Sequence, residues 1–355
     1  MATQFFPTLV GNLELKERLG GDVAEGHLSH AYILEGCRGS GRHTVARLVT
    51  AALACPEGRR SEDVIDLFGN VRSATLPCGE CPVCRKILED NSPDVITVGI
   101  EGDKSSVGVD SIREVKEQIC FAPGELPYKV FILEDADLMT TQAQNALLLS
   151  LEEPPEYVLF FLLCESSARL LETVRSRAPA LRMARIRPEL IERHLLSTHP
   201  QAYALMEEDS EAWKSLLFYA DGSIGRAIEL LDARNRADVF ALHGEVLELL
   251  LLLARRNRAE ILGAVARLNG KRAEVTATLR LLETALRDLI LLKKWDGSPL
   301  CFFKDREETL ELSTRFTSKL LFDLYDACEE ALGQLERNSN VRLTLMNMMQ
   351  SASLI

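Results

Sequence analysis

In the first half of the chain, short apolar runs alternate with stretches whose apolar residues recur at helical spacing. The run at residues 157–164 is apolar throughout, as expected of a strand that is buried on both faces. Apolar strands that alternate with helices predict a parallel sheet covered on both sides. The predicted strands are residues 31–34, 95–100, 130–133, 157–164 and 180–183.

Helical patterns fill the intervals and take over the second half. Ser111 and Glu114 have the spacing of a capping box, which predicts a helix from Ser111 to about residue 120. Strand signals fade after about Met183, and from about Arg234 the pattern predicts long amphipathic helices. The other predicted helices are residues 42–54, 141–151, 168–175, 272–294, 319–335 and 341–354.

Size and charge narrow the classes of function. A chain of 355 residues has room for two or three domains. Its net charge of −12 argues against a surface that binds a polyanion as a whole, since such binding needs clustered Lys and Arg. The apolar runs are shorter than the roughly 18 residues of a membrane span. With no signal-peptide pattern at the start, we expect a cytoplasmic protein without membrane contact.

The segment from Gly36 to Thr44 follows the first predicted strand and opens the next helix, where a phosphate-binding loop belongs. Its glycine spacing fits, but Arg42 replaces the usual Lys and His43 replaces the Ser or Thr that holds Mg²⁺. Thr44 comes one residue after the position of that Ser or Thr, and on a helix this shift rotates its side chain by about 100° about the helix axis. The alternative is a loop kept for its turn, with weak or no nucleotide binding. The candidate residues are Gly36, Gly39, Gly41, Arg42, His43 and Thr44.

An acidic pair, Glu134 and Asp135, ends the third predicted strand. In ATPases of this layout an Asp at such a position holds Mg²⁺ and the following acid orients the attacking water. Here the order is inverted, and Asp135 is one methylene short for the second role. The alternative is a solvated acidic turn that caps the next helix. Both the glycine loop and the acidic pair of this predicted nucleotide site depart from the usual pattern, and together they indicate that ATP hydrolysis has been lost.

Of the nine cysteines, three stand at two consecutive CxxC spacings, at positions 78, 81 and 84. Such a turn directs neighbouring thiolates at one tetrahedral ion. Cys55 is the nearest upstream cysteine and is the candidate fourth ligand. Four thiolates without an open position predict a structural zinc ion; redox chemistry is the alternative. The predicted metal ligands are Cys55, Cys78, Cys81 and Cys84.

Arg175 and Arg177 follow the segment predicted to be helical at residues 168–175. An exposed arginine there can stabilise charge on a phosphoryl group in a neighbour's site. On the residues alone, we favour the simpler interpretation that these arginines offset the helix dipole.

Four segments together resemble bacterial AAA+ clamp-loader subunits, which load the ring-shaped sliding clamp for DNA polymerase III. The resemblance is detailed over about residues 5–232 and looser in the helical tail. The segments, in the family's order, are Ser-His-Ala-Tyr-Ile-Leu-Glu-Gly at 29–36, Cys55 with Pro-Cys-Gly-Glu-Cys-Pro-Val-Cys at 77–84, Asn-Ala-Leu-Leu-Leu-Ser-Leu-Glu-Glu-Pro-Pro at 145–155 and Val-Arg-Ser-Arg at 174–177.

The family contains an ATP-hydrolysing gamma/tau type and a delta-prime type whose nucleotide site is usually degraded. By resemblance, a motor subunit would have Lys at 42, Thr at 43, Asp-Glu at 134–135 and a nucleotide-sensing Arg at 225. This chain has Arg42, His43, Glu134-Asp135 and Gly225, with Arg226 one residue late. These departures and the chain length resemble the delta-prime type, with the gamma/tau motor as the alternative. A zinc scaffold outside replication is the more distant rival.

The resemblance implies an α/β plus all-α protein of three domains. These are an AAA+ domain with a parallel sheet at residues 1–184, a helical lid at 185–232 and a helical collar at 233–355. A zinc module is inserted in the AAA+ domain at residues 55–84. It also implies that Ser176 and Arg177 belong to the family's Ser-Arg-Cys motif, in which Arg177 is an arginine finger acting in trans, with Ala178 in place of Cys. It supports Cys55 as a zinc ligand and implies that this chain does not hydrolyse ATP. The implied partners are gamma/tau and delta subunits, and the implied contact with the sliding clamp and primer-template DNA is made through the assembled complex.

Overall fold

The computed structural model describes residues 5–56, 59–65, 71–102, 106–268, 270–295, 297–337 and 339–352. Within the predicted zinc module, residues 57–58 and 66–70 therefore lie outside the described residues, as does the end of the predicted helix at 353–354. The chain forms two compact units, Met1–Leu231 and Asp232–Ile355. The boundary expected between residues 184 and 185, inside the first unit, stays a prediction.

The first unit is built around a five-stranded parallel sheet. Its strands follow the order β4-β5-β6-β1-β7, so β1 lies between β6 and β7. A separate antiparallel hairpin is formed by β2 and β3. The strands are β1 (Ala31–Glu35), β2 (Arg59–Ile65), β3 (Val71–Leu76), β4 (Val95–Val98), β5 (Lys129–Leu133), β6 (Val158–Cys164) and β7 (Ala180–Arg182).

The described residues of this unit form ten α-helices. They are α1 (Leu13–Glu25), α2 (Arg42–Ala54), α3 (Pro82–Leu88), α4 (Val109–Ile119), α5 (Thr141–Glu152), α6 (Glu172–Arg175), α7 (Pro188–Thr198), α8 (Pro200–Glu208), α9 (Ser210–Tyr219) and α10 (Ile224–Glu229).

Alternate residues of the central strands enter two different apolar cores. In β6, Phe160 packs in the core that includes residues of α4 and α5, whereas Phe161 packs in the core that includes residues of α1, α2 and α3. All seven residues of β6 are buried. The predicted parallel sheet with two covered faces is therefore confirmed, and β6 is its central strand.

In the second unit the described residues form helices and no strand, and they have their own core. In α13 the residues at helical spacing, from Val275 to Leu289, are at most 2% exposed. They pack against α11, α14 and α15, and α15 packs against α16. Its helices are α11 (Ala233–Arg255), α12 (Arg258–Arg267), α13 (Arg272–Lys294), α14 (Arg306–Thr314), α15 (Ser318–Glu336) and α16 (Val341–Ser351).

Two local predictions are wrong. Helix α4 begins at Val109, with Gly108 as its N-cap, and not at Ser111. Ser111 is buried inside the helix, where its hydroxyl donates a hydrogen bond to Glu101, so it cannot cap the terminus. The helix predicted at residues 168–175 is divided into a 3₁₀ turn at Ser167–Arg169 and the short α6.

Candidate functional site

The loop between β1 and α2 has the backbone of a phosphate-binding turn. Gly39 and Gly41 adopt φ values of +75° and +95°, a region that residues with a Cβ rarely enter. Helix α2 begins directly after Gly41, and no side chain caps it. Its first amide groups therefore lack intrahelical partners at the positive end of the helix dipole, as an anion site requires. This part of the site keeps the expected scaffold.

The chemistry of the loop is different. The Nε2 atom of His43 lies 3.1 Å from Oε1 of Glu134, so an imidazole and a carboxylate pair where the motor pattern places a hydroxyl and an acid around Mg²⁺. The hydrogen bond from His43 is the main cause that lowers the pKa of Glu134. Arg42 has a buried Nη1 atom without a hydrogen-bond partner among the described residues, and Thr44 is exposed. The structure thus brings His43 and Glu134 together, which sequence reasoning did not foresee.

Asp135 stands in a left-handed conformation, with φ of +48°, and burial raises its pKa. It is the N-cap residue of the 3₁₀ turn Ala136–Leu138, but its side chain makes no capping hydrogen bond there. Helix α5 is instead capped by Thr140, whose hydroxyl accepts a hydrogen bond from the amide of Ala143 at 3.2 Å. Neither acid therefore caps α5 with its side chain, and the interpretation of the pair as a solvated acidic turn stays a prediction. Both acids line a cavity of about 720 Å³ that is also bordered by residues 38–44 of the loop.

Helix α10 and its N-cap residue contact the loop directly. The amide of Gly225 donates a hydrogen bond to the carbonyl of Gly39 at 2.9 Å, and the Ser223 hydroxyl donates one to the carbonyl of Arg38 at 2.9 Å. A Cβ on Gly225 would lie 2.7 Å from the Cα of Gly39. A Cβ on Gly39 would lie 2.8 Å from the amide nitrogen of Arg226. The backbone of Gly39 thus occupies the space that a side chain at position 225 would need, and an arginine does not fit there in this arrangement.

The four predicted metal ligands converge. Cys55 follows α2, Cys78 follows β3, Cys81 caps α3 and Cys84 lies in its first turn. Their sulfur atoms all lie within 4.8 Å of one another. Two Sγ–Sγ distances, Cys55 to Cys81 and Cys78 to Cys84, are 3.9 Å. That is close to the edge of about 3.8 Å of a tetrahedron with Zn–S bonds of about 2.3 Å. The group is one that could hold a metal ion.

Backbone amides further prepare this cluster for anionic sulfur. The amide of Cys81 donates to the Cys78 sulfur at 3.2 Å, and the amide of Cys84 donates to the Cys81 sulfur at 3.4 Å. Hydrogen bonds from the amides of Cys81 and Glu80 lower the pKa of the Cys78 thiol to about 7. Amide donors that favour thiolates are the usual surroundings of a structural metal-thiolate turn.

Arg177 comes just after α6 and is folded back onto its own unit. Its Nη1 atom donates to the carbonyl of Thr173 at 2.8 Å and to the Ser176 hydroxyl at 3.2 Å, while Nη2 pairs with Glu152 at 2.5 Å. About a third of its side chain, 32%, is exposed. Ala178 is only 2% exposed and packs in the core with Val174. The change from Cys to Ala at 178 therefore concerns packing and does not touch the charge of Arg177.

Sequence and structure comparisons place these features in a family. A family model described as "DNA polymerase III, delta subunit" matches residues 11–187. The chain is 26% identical over 355 residues to the DNA polymerase III subunit tau of Bacillus subtilis, covering 96% of this chain and 60% of the relative. It is 30% identical over 233 residues to the subunit gamma of Buchnera aphidicola, covering 64% of this chain and 58% of the relative. The chain belongs to the AAA+ clamp-loader family.

The predicted resemblance is thus confirmed at the level of the family. The chain spans 60% and 58% of the lengths of these two relatives. A solved structure of a gamma subunit-related protein from Thermotoga maritima is 19% identical and covers 96% of this chain and 98% of its own, with a TM-score of 0.38. Among the described helices, none combines the length and apolar character needed to cross a bilayer.

Proposed function

We propose that this chain is a non-motor, delta-prime-type subunit of the DNA polymerase III clamp loader. The observation that carries the proposal is the His43–Glu134 pair, 3.1 Å apart, at the position where a motor subunit coordinates Mg²⁺. A protonated imidazole beside that carboxylate repels a divalent cation, and a neutral one offers it no hydroxyl ligand. On this proposal the chain does not hydrolyse ATP.

The lid contact supports the same proposal. A sensing arginine at position 225 would reach bound phosphate from the lid, but Gly225 lies against the carbonyl of Gly39 and carries no side chain. Loop and lid therefore interact through hydrogen bonds that need no nucleotide. In this proposal the lid has no means of reporting whether ATP is bound.

The partners in this proposal are gamma/tau and delta subunits, joined through the helical second unit, with the sliding clamp and primer-template DNA met through the assembled complex. The relatives' names, tau and gamma, favour this assignment to a replication complex, and the acidic net charge of −12 suits a subunit whose main contacts are proteins. We also infer a cytoplasmic location for the protein.

In the proposed assembly Arg177 supplies positive charge in trans to ATP bound by the adjacent motor subunit, and Ser176 shapes the turn that presents it. The partial exposure of Arg177 and its place beyond a helix end support this role. Arginine fingers stabilise charge that develops on the transferred phosphoryl group. A structural zinc ion held by the four cysteines would fix the segment between α2 and α3.

The experiment is reconstitution of the full chain with motor and delta subunits, with and without Arg177→Ala. We expect an assembly of unchanged stoichiometry whose ATP hydrolysis and clamp loading fall by about 10³-fold, the lower value known for arginine fingers. Arg169→Ala, which removes a nearby arginine at the end of the 3₁₀ turn, is the matched control. An unchanged rate in the Arg177 variant would refute the finger role.

The alternative is an ATP-hydrolysing subunit of gamma/tau type, which the names of the relatives favour. It requires that Arg42 and His43 bind phosphate and Mg²⁺ although His43 contacts Glu134. Hydrolysis by the purified chain discriminates between the two functions.

A further inference from the structure

The guanidinium of Arg177 is already engaged with acceptors of its own unit. Three of its hydrogen bonds go to Glu152, the carbonyl of Thr173 and the Ser176 hydroxyl. A guanidinium has five N–H donors, and the pair with Glu152 engages the one acceptor among the three that carries a full negative charge. With the carboxylate 2.5 Å away, the positive charge of Arg177 is compensated before any partner arrives.

Glu152 stands at a position where a carboxylate is unfavourable for its helix. It is the last residue of α5, and the C-terminal end of a helix carries partial negative charge. Glu153, Pro154 and Pro155 follow, and the two prolines prevent the helix from continuing. Arg177 is the cation that offsets this unfavourable placement.

A phosphate group and the Glu152 carboxylate need the same partner. If both approached the guanidinium, two anions would lie within a few ångströms of each other and repel. The Glu152 side chain is 41% exposed and is therefore able to turn into solvent. An exchange of one charge-assisted hydrogen bond for another is sterically open and makes or breaks no covalent bond.

We propose that Glu152 masks Arg177, and that the terminal phosphate of a nucleotide on the neighbouring subunit must displace the Glu152 carboxylate before Arg177 engages. The proposal rests on the proposed role of Arg177 in trans. Glu152 is then a regulatory residue of the interface, which keeps ATP hydrolysis by the assembly low until the neighbouring site closes tightly enough to compete for the guanidinium.

The test uses the reconstituted complex with Glu152→Gln, which keeps the shape of the side chain and removes its charge. We expect ATP hydrolysis without clamp and DNA to rise about two- to fivefold, the range that an exposed ion pair supports. Glu152→Ala should give the same rise. Glu153→Gln is the matched control, because it removes the neighbouring charge but not a partner of Arg177, and it should leave the rate unchanged.

The double variant Glu152→Gln with Arg177→Ala separates masking from a general change of stability. We expect it to hydrolyse ATP at the rate of Arg177→Ala alone, because the gain requires the freed guanidinium. A rate that falls or stays constant in Glu152→Gln would overturn the masking role while leaving the finger intact. A wild-type complex that is insensitive to Arg177→Ala would instead refute the proposed finger, so the two failures are distinguishable.

Discussion

Helix α2 connects two sites that differ in how complete their functional residues are. Its N-terminus follows the glycine loop, where the backbone suits a phosphate but Arg42 and His43 depart from the motor pattern. Its C-terminal end delivers Cys55 to three further thiols within 4.8 Å. The ends of this 13-residue helix are about 20 Å apart. One site has kept its scaffold without the expected chemistry, and the other has kept its full ligand set.

The difference shows that a scaffold can persist for a structural reason. Gly39 is needed at its φ of +75° and because α10 approaches it through Gly225, whether or not a nucleotide binds. A glycine pattern in the sequence is therefore weaker support for catalysis than the side chains around it. The four cysteines differ from the loop in that the side chains that would bind the ion are all present, with Cys81 and Cys84 in the apolar core and Cys55 and Cys78 packed against it.

The largest effect is expected from removing metal ligands. The double variant Cys78→Ser with Cys81→Ser should reduce zinc from about one ion per chain to none, because two thiolates cannot hold a tetrahedral site. We expect a loss of about 4 kcal/mol in the free energy of unfolding when zinc is at a thousandfold excess over its Kd. Metal analysis and urea unfolding measure both.

The control for the metal site is Cys120→Ser, which changes an exposed thiol outside the cluster. It should keep its zinc and its stability. Zinc retained by the double variant, or absent from the gently purified natural chain, would contradict the metal assignment.

The next largest effect is expected from a substitution at the contact between the glycine loop and α10. Gly225→Ala places a methyl group 2.7 Å from the Cα of Gly39, and such overpacking costs about 1–3 kcal/mol. The unfolding can be followed by fluorescence, since Trp213 is 3% exposed in the first unit and Trp295 is 62% exposed in the second. We expect the Trp213 transition to move to lower urea.

Gly244→Ala is the matched control for Gly225→Ala. Gly244 lies within α11, and a Cβ added there would meet no atom within 4 Å, so alanine should stabilise that helix by up to about 1 kcal/mol. If Gly225→Ala were as well tolerated as Gly244→Ala, the close contact of α10 with the glycine loop would be contradicted.

The smallest effect concerns the His43–Glu134 pair. Because the folded-state pKa of Glu134 lies below its ordinary value of 4.5, the pair stabilises the fold fully above about pH 4.5 and loses its effect as the pH falls through the lower, folded-state pKa. Glu134 is 43% exposed, so we expect Glu134→Gln to cost only about 0.2–1 kcal/mol at pH 7.

Urea unfolding of Glu134→Gln at pH 7 and pH 3 measures this contribution, with Glu156→Gln as an exposed control. The difference in the free energy of unfolding between Glu134→Gln and the natural chain should be smaller at pH 3 than at pH 7. A difference that grows on acidification would contradict the direction of the pKa shift.

Much of the fold is predictable because the apolar pattern decides it. In β6 every side chain is buried, and its continuous apolar run predicts an interior strand. Helix α13 has the predicted bounds, since one apolar stripe meets the core along its whole length. The hairpin of β2 and β3 was missed, because its backbone pairing is not accompanied by an apolar run in a sequence that begins Arg-Arg-Ser-Glu-Asp.

The residues of the two candidate sites could be predicted from the sequence, but the contacts between their side chains could not. The cysteine spacing predicts a cluster because a short turn determines which thiols meet. The pairing of His43 with Glu134 and of Gly39 with Gly225 depends on how β1, β5 and the lid come together, and local spacing carries no such information. The signal available in the sequence was that all four departures from the motor pattern fall on one site.

The central claim, that this chain lacks a motor's nucleotide chemistry, is tested most directly by ATP hydrolysis of the purified full chain, with and without DNA. The account predicts no turnover above a Gly41→Asp variant, which would place a carboxylate at the left-handed glycine before α2. DNA-stimulated hydrolysis that is abolished by Gly41→Asp would contradict it.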